Sequence, residues 1–465
     1  MKNKNIDLLN GPIFSSLTKL AIPITATALV QMTYNLTDMA WIGRVGSAAV
    51  TAVGSGSMYT WLSQGFMMIA KMGSQIKVSH ALGQQDEEEA VRYAQGGLQL
   101  GILFAVLFSL VSIFCSGPMI RFFGLQDQTT IYNAEIYLKI TCGGIIFSFL
   151  NAILTGILIA MGNSQISFRA NVVGLIINMV LDPILIFGIG PVPALGVMGA
   201  AIATVLAQCV VAVIILGSIR HYSLVFPHIR LLSVTPWENI RTILHVGFPL
   251  GLQNILFTSI SMILTRIVAG FGDSAVAVQR LGSQIESISW MTVDGFAAAI
   301  NSYVGQNFGA KQFKRIRRGY LVAVLIILVW GTFTSCLLIF GGKYIFEIFI
   351  QEQDIVPMGI DYLTILGFSQ LFMCVEMISS AAMSGLGKTG VSSAISITLT
   401  SIRIPMSFFL SMTVLGLNGV WWALTISSIA KRNRVLCGIL DCAPHSGDEK
   451  SCGMMPQLFL SELCF

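Results

Sequence analysis

Two aspartates lie inside long apolar stretches of the sequence, each one helical turn after another polar side chain. Asp38 follows Tyr34 in MTYNLTDMAWIGR, and Asp182 follows Asn178 in NVVGLIINMVLDPILIFG. Residues four apart project from the same face of a helix. A charge in such apolar surroundings costs about 3 kcal/mol on membrane-insertion scales and usually marks a functional site. The spacing therefore predicts two polar helix faces that carry chemistry.

Carboxylate, amide and hydroxyl oxygens together suit a hard cation such as Na⁺. They suit a proton equally well, because a carboxylate removed from water can be neutralised by protonation. A third interpretation is that each aspartate only hydrogen-bonds within its own half of the chain. We add a helix-4 amide and a helix-6 hydroxyl to the candidates, and we expect no metal site other than one for Na⁺ at the two aspartates. The predicted cation-coupling set is Asp38, Asp182, Asn178, Asn151, Tyr34 and Thr204.

Three further acids, Glu286, Asp294 and Glu376, lie in apolar stretches of the second half. One interpretation is that they line a cleft and attract a cationic substrate. The other is that Glu376 pairs with Arg403, which would make both residues structural. Both interpretations stay open from sequence.

The composition identifies the elements that must position these residues. Hydrophobic residues make up 54% of the 465 residues, charged residues make up 11%, and the mean hydropathy is +0.78. A soluble domain has about 25% charged residues, so this chain cannot cover a water-facing surface. It is predicted to be an integral membrane protein in contact with the lipid bilayer. The net charge of +5 gives no indication of nucleic-acid binding, and the nine cysteines form no convincing disulfide or zinc pattern.

Apolar stretches long enough to cross a bilayer recur along the chain. They predict an all-α protein with twelve transmembrane helices, near 14–43, 52–79, 95–116, 132–160, 168–188, 195–217, 240–270, 275–304, 319–341, 359–385, 390–413 and 416–430. Basic residues concentrate in the N-terminus and in alternate loops, including Arg92, Arg220 and Lys311. Because basic loops stay in the cytoplasm, we expect a multi-pass protein of the cell membrane with both termini cytoplasmic.

The two halves of the sequence repeat. A shift of 226 residues aligns Pro23 with Pro249 and Gly83 with Gly309, and a later shift of 220 aligns Gly196 with Gly416. Two six-helix halves in the same orientation predict a pseudo-two-fold axis along the membrane normal and a central cleft. The predicted parts are an N-terminal lobe (1–217), a cytoplasmic linker (218–242), a C-terminal lobe (243–430) and an aberrant tail (431–465).

The aspartates are not repeated in the second half. Leu264 stands where the first half has Asp38, and Arg403 stands where it has Asn178. We therefore expect cation coupling to be confined to the first half.

Four prolines lie inside predicted helices in corresponding pairs, Pro23 with Pro249 and Pro183 with Pro405. A proline removes a backbone hydrogen bond and permits a bend. They are either hinges about which matching helices bend during transport or tolerated kinks with a packing role.

The tail reads KRNRVLCGILDCAPHSGDEKSCGMMPQLFLSELCF. Helix 12 is short, and deletion of one base in a plausible coding of Lys431 and Arg432 restores an apolar continuation, Lys-Gly-Ile-Val-Phe-Phe. We hypothesise a one-base frameshift near Lys431; the alternative is a genuine cytoplasmic tail.

Several long motifs occur in the order of a known family. They are P-x₇-Q-x₂-YNLTD-x₃-IGR-x-G, NMVLDPILIFG, GFPLGLQN, SISWMTVDGFAAAINSYVGQNFGA and LGLNGVWWALTIS. The chain resembles the multidrug and toxic compound extrusion (MATE) transporters over about residues 10–430. The resemblance implies an antiporter that expels organic cations and alternates between V-shaped states. It also implies the N-lobe site Asp38, Asn151, Asn178 and Asp182, with Tyr34 and Thr204 following.

The sequence has no GxxxxGK[ST] phosphate loop and no nucleophile–base pairing. We therefore expect a transporter rather than an enzyme, with Na⁺ or H⁺ as the coupling ion, no cofactor and a functional monomer. The alternative function is a lipid-linked saccharide flippase of similar architecture. That function would favour a strongly cationic cleft, whereas the apolar stretches here contain five acids.

Overall fold

The computed structural model describes residues 6–123, 125, 127–188, 193–219, 226–230, 233–349 and 355–442. Every regular element within these residues is a helix, which confirms the all-α fold class. The helices are α1 Ile13–Val45, α2 Ser47–Gly83, α3 Glu87–Phe114, α4 Ser116–Arg121, α5 Gln128–Gly143, α6 Ile145–Ala160, α7 Gln165–Phe187, α8 Val197–Ile219, α9 Trp237–Ala269, α10 Asp273–Gly309, α11 Phe313–Phe349, α12 Val356–Gly385, α13 Thr389–Ser401, α14 Arg403–Ser411 and α15 Gly416–Cys442, with a 3-10 turn at Phe226–His228.

All twelve predicted membrane helices are present, because long apolar runs without breakers have few alternatives to a helix in a bilayer. By length and composition, eight described helices can cross a membrane, or nine if α5 and α6 form one bent span. The long helices α2, α10 and α15 contain more small and polar residues and fall outside that count.

Two predicted helices are divided. The helix predicted at 132–160 bends by 42° at Gly144, between α5 and α6. The helix predicted at 390–413 breaks at Ile402, between α13 and α14. Pro405 accounts for the second break, since it has no N–H for the carbonyl of Ser401 and its ring crowds that carbonyl. Pro23, Pro183 and Pro249, in contrast, lie inside continuous helices.

The last helix is longer than predicted. α15 continues beyond Ala430 to Cys442, since Lys, Arg and Leu favour a helix and no proline interrupts them. Residues 443–465 of the predicted tail, and residues 220–225 and 231–232 of the predicted linker, lie outside the described residues.

The sequence repeat is visible in the backbone. Gln85 and Lys311, 226 residues apart, both have a positive φ (61° and 56°) in the turn that follows a 37-residue helix. Non-glycine residues rarely adopt this conformation, so its recurrence at the same repeat position is informative. Gly196 and Gly416 also correspond, with φ of 55° and 50° before α8 and α15. The repeat therefore extends from the residue types to the turn geometry.

The chain forms two compact units. Unit 1 contains Met1–Asp7 and Ile22–Gly251, and unit 2 contains Leu8–Ala21 and Leu252–Phe465. The chain therefore passes from one unit to the other inside α1 and again inside α9. Pro23 and Pro249 each lie within two residues of these crossings.

Unit 1 is packed closely around α2. A Cβ atom added at Gly73 would lie 2.8 Å from Ile243 Cγ2, at the start of α9. The chain before α9 is held by polar contacts with α3, because Gln95 Nε2 donates to Thr235 Oγ1 at 3.0 Å and Asn239 Nδ2 donates to Glu89 Oε1 at 2.9 Å. The first part of α9 is thus a fixed part of unit 1.

Unit 2 has its own aromatic core and holds the start of α1. The rings of Tyr362 and Trp421 pack edge to face at 5.1 Å. The carbonyl of Leu8 accepts a hydrogen bond from Asn307 Nδ2 at 3.0 Å, and the guanidinium of Arg315 donates to the carbonyl of Gly11. These contacts fix the segment that precedes α1.

Candidate functional site

The buried stripe of α7 carries the most enclosed polar pair in unit 1. Gly174, Asn178, Asp182 and Ile186 recur every fourth residue and are all buried, as one face of a helix requires. Asn178 and Asp182 are both 0% exposed, and Asn178 Nδ2 donates to Asp182 Oδ1 at 3.1 Å. The predicted pairing of these two residues is therefore present.

α1 brings a second pair to the same region. Tyr34 donates its hydroxyl to Thr204 Oγ1 on α8 at 3.0 Å. Asp38, one turn later, is buried, and the Asp38 and Asp182 carboxylates are close enough to interact electrostatically. Tyr34 interacts electrostatically with both acids. Five of the six predicted coupling residues thus lie in one region formed by α1, α7 and α8.

Several oxygen atoms in this region have no hydrogen-bond partner among the described residues. Buried polar atoms are nearly always paired, so these oxygens have unused capacity to accept a cation or a proton. No Lys or Arg in the described part of the chain forms a salt bridge with either aspartate. The atoms are Asp38 Oδ1, Asp182 Oδ2, Asn178 Oδ1 and Asn151 Oδ1.

Asn151 lies one turn from the hydroxyl pair. Its Nδ2 donates to the backbone carbonyl and to the side-chain Oε1 of Gln208, both at 2.9 Å, four residues after Thr204 on α8. Gln208 and Tyr34 also line a small pocket of ≈ 10 Å³ with Gln31 and Asn171, a volume that suits a single water-sized occupant. Asn151 therefore adjoins the polar region through α8, without a described hydrogen bond to either aspartate.

Tyr137, on α5, belongs to the region but was not predicted from the sequence. It is 6% exposed and interacts electrostatically with Asp38, Tyr34 and Asp182. A Cβ atom added at Gly56 would lie 2.7 Å from its ring, so α2 keeps the ring in place. The sequence gave no signal for it, because an isolated tyrosine in an apolar helix usually indicates core packing.

The second-half acids lie in unit 2 in a different environment. Gln370 Nε2 donates to Glu286 Oε1 at 2.8 Å, and Ser396 Oγ approaches Glu376 Oε1 at 3.4 Å. Arg403 interacts electrostatically with both glutamates. Asp294 lies on α10, two turns after Glu286, with an exposed side chain. Glu286 and Glu376 thus share a basic neighbour, whereas Asp38 and Asp182 do not share one among the described residues.

Comparisons with known proteins agree with this arrangement. The MatE family model matches residues 23–184 and 249–409, one segment in each half of the repeat. The chain is 26% identical over 415 residues to a probable multidrug resistance protein NorM of Thermotoga maritima, with 88% of each protein covered. It is 23% identical over 421 residues to the multidrug export protein MepA of Staphylococcus aureus, with 90% of this chain and 91% of that protein covered.

A solved structure has the same fold. It is the outward-facing conformation of a multidrug resistance MATE family transporter of the MOP superfamily. The superposition has a TM-score of 0.86 at 24% sequence identity, and it covers 94% of this chain and 98% of that one. The matched segments, the repeat and the fold lead to one assignment. The chain belongs to the MatE family, the multidrug and toxic compound extrusion transporters, and is a membrane transporter and not an enzyme.

Proposed function

We propose that this chain is a cation-coupled antiporter that exports cationic, amphipathic drugs and other xenobiotics by alternating access. The observation that carries the proposal is the polar region of unit 1, where two buried aspartates combine with unpartnered oxygens. The coupling ion is Na⁺ or H⁺, and no further cofactor takes part.

The charge of this region explains how an ion drives the cycle. Two carboxylates buried without a described basic partner are costly when both are ionised. Uptake of Na⁺ or H⁺ removes part of that charge and stabilises the conformation in which the ion is bound. Release of the ion then favours the other conformation. Asp38 and Asp182 carry the charge in this scheme, while Asn178, Asn151, Tyr34 and Thr204 supply amide and hydroxyl oxygens.

The prolines are the proposed hinges. Pro23 and Pro249 lie where α1 and α9 pass from one unit to the other, and Thr27 Oγ1 donates to the carbonyl of Pro23 at 2.8 Å. A helix that lacks a backbone hydrogen bond at this point bends at low cost. Pro183, inside α7, and Pro405, beside the break before α14, are the second proposed pair.

The substrate class follows from the charges and from the relatives. NorM and MepA are named as multidrug proteins, and the acids of both units favour organic cations. Glu286, Glu376 and Asp294 are our candidates for substrate attraction. The distribution of basic residues places both termini in the cytoplasm, and we expect a monomer to be sufficient. A flippase for pyrophosphate-linked sugars would need excess positive charge, which the unit 1 region does not offer among its described residues.

Transport into and out of proteoliposomes tests the proposal. Ethidium efflux would be followed by fluorescence under separately imposed Na⁺ and H⁺ gradients, for this chain, for a version with the frame repaired after Lys431, and for Asp38→Asn in the repaired background. We expect efflux that depends on one of the two gradients and is lost in Asp38→Asn. Efflux from the repaired protein that is unchanged by Asp38→Asn would move coupling away from unit 1. Equal efflux without any gradient would contradict antiport.

A further inference from the structure

Glu376 is a buried acid that is surrounded by cations of the protein itself. Its side chain is 9% exposed, on α12, and its only printed hydrogen bond among the described residues is the long one from Ser396. Arg403 and Lys431 both interact with it electrostatically. A carboxylate in such a position is stable only with compensating positive charge.

Lys431 supplies part of that charge from α15. Its side chain is 6% exposed, which is unusual because lysine is rarely buried without an acidic partner. Lys431 interacts with Glu376 and with Arg403. It also precedes the point at which the frameshift hypothesis changes the sequence, so it is a lysine in either reading frame.

Arg403 is held in place by α15. Its Nε donates to Ser427 Oγ at 2.6 Å and its Nη2 donates to Ser428 Oγ at 3.0 Å. It interacts with Glu286 as well as with Glu376. Glu286, Glu376, Arg403 and Lys431 thus form a group of two acids and two bases without net charge.

The other charged and titratable groups near Glu376 do not alter this balance. The guanidinium of Arg432 lies over the ring of Phe372, 5.2 Å from its centre, and interacts with Tyr320. The Tyr320 hydroxyl is 2.8 Å from Ser379 Oγ. Arg432 is therefore engaged with an aromatic surface of α12 and with α11.

We propose that unit 2 contains a second cation site, at Glu376, whose occupant is the tethered ammonium group of Lys431. The ammonium group takes the place that a free Na⁺ or H⁺ has in a coupling site, so this half of the protein binds no exchangeable ion. The inference concerns the ionisation of Glu376 and goes beyond the proposed function, whether or not unit 1 couples to an ion.

Removal of the tethered cation should open the site. In Lys431→Met the group keeps two acids and only one base, Arg403, so Glu376 takes up a proton or Na⁺. Infrared difference spectroscopy at neutral pH should show one additional protonated carboxyl C=O band, or ²²Na⁺ binding should increase by one ion per chain. Either gain should disappear in Lys431→Met/Glu376→Gln. The matched control is Lys343→Met, which removes an exposed lysine from its surface pair with Glu347 and should produce no gain.

A folded Lys431→Met protein with neither an added carboxyl band nor an added ion would overturn the inference. If Lys431→Met does not fold, melting temperatures of Lys431→Gln, Glu376→Gln and their double variant replace it. The double variant should then melt above both single variants, because it leaves no uncompensated buried charge. Additive losses would count equally against the tethered cation. Ethidium efflux by the unmodified chain is a separate readout, so failure of antiport and failure of this inference are distinguishable.

Discussion

The two units share a backbone repeat but differ in the charges at corresponding positions. α2 and α10 have the same length and are followed by the same left-handed turn, at Gln85 and Lys311. In unit 1 the buried acids have no described basic partner, whereas in unit 2 Arg403 and Lys431 accompany them. Helix lengths and turns therefore define the repeated fold, and buried charges can diverge within it. The difference suggests one half that exchanges an ion and one that is internally neutral.

The largest expected effect is the loss of coupling in Asp38→Asn. Removal of one buried carboxylate should lower gradient-driven ethidium efflux by more than tenfold, which corresponds to about 1.4 kcal/mol. Asp361→Asn is the matched control, because Asp361 is an exposed acid of unit 2 that accepts a hydrogen bond from Asn418 at 3.1 Å. Equal losses in both variants would remove the distinction between the units.

The next effect concerns packing in the repeat. Gly73 of α2 corresponds to Ala299 of α10, and only the glycine position touches a neighbouring helix too closely for a Cβ atom. Gly73→Ala should lower stability by about 1–3 kcal/mol, as overpacking does, with a lower melting temperature in detergent. Gly54→Ala, in the same helix with no atom within 4 Å of the new Cβ, should be neutral or stabilising by up to about 1 kcal/mol. Equal melting temperatures would show that α2 can shift away from α9.

The proline pair tests whether the two units move symmetrically. Pro23→Ala and Pro249→Ala each restore a backbone hydrogen bond and should stiffen the helix. We expect turnover in the efflux assay to fall about fivefold, equivalent to about 1 kcal/mol, with the apparent affinity for ethidium unchanged. A loss in only one of the two variants would show that one crossing bends and the other is rigid. Wild-type turnover in both would assign the prolines to packing.

The smallest expected effect is that of the hydroxyl pair. Tyr34→Phe and Thr204→Val each remove the hydrogen bond between α1 and α8 and should each cost about 0.5–1.5 kcal/mol, with non-additive losses in the double variant. Tyr303→Phe provides the comparison in unit 2, because its hydroxyl donates to the carbonyl of Arg315 at 3.2 Å. It should lower the melting temperature by a similar amount and leave ion dependence unchanged. Additive losses would indicate that the two hydroxyls act separately.

Much of the fold could be predicted from the sequence because a bilayer leaves long apolar segments few alternatives to helices. The break before α14 could not be located, since Pro183 at the corresponding position is accommodated inside α7. Asn178 and Asp182 were predictable from their spacing on one helix. Tyr137 and Gln208 were not, because their importance depends on contacts between helices. Lys431 was assigned to the tail, yet its side chain lies in the buried part of unit 2.

The exchanged segments constrain how the chain can be synthesised. Unit 1 includes the start of α9, up to Gly251, and unit 2 includes Leu8–Ala21. A ribosome that has completed only the first six membrane helices has therefore not yet produced all of unit 1, and the first residues of α1 must wait for a partner surface made much later. A gene divided within residues 218–236 should yield two halves that are each incomplete when expressed alone and that assemble when coexpressed.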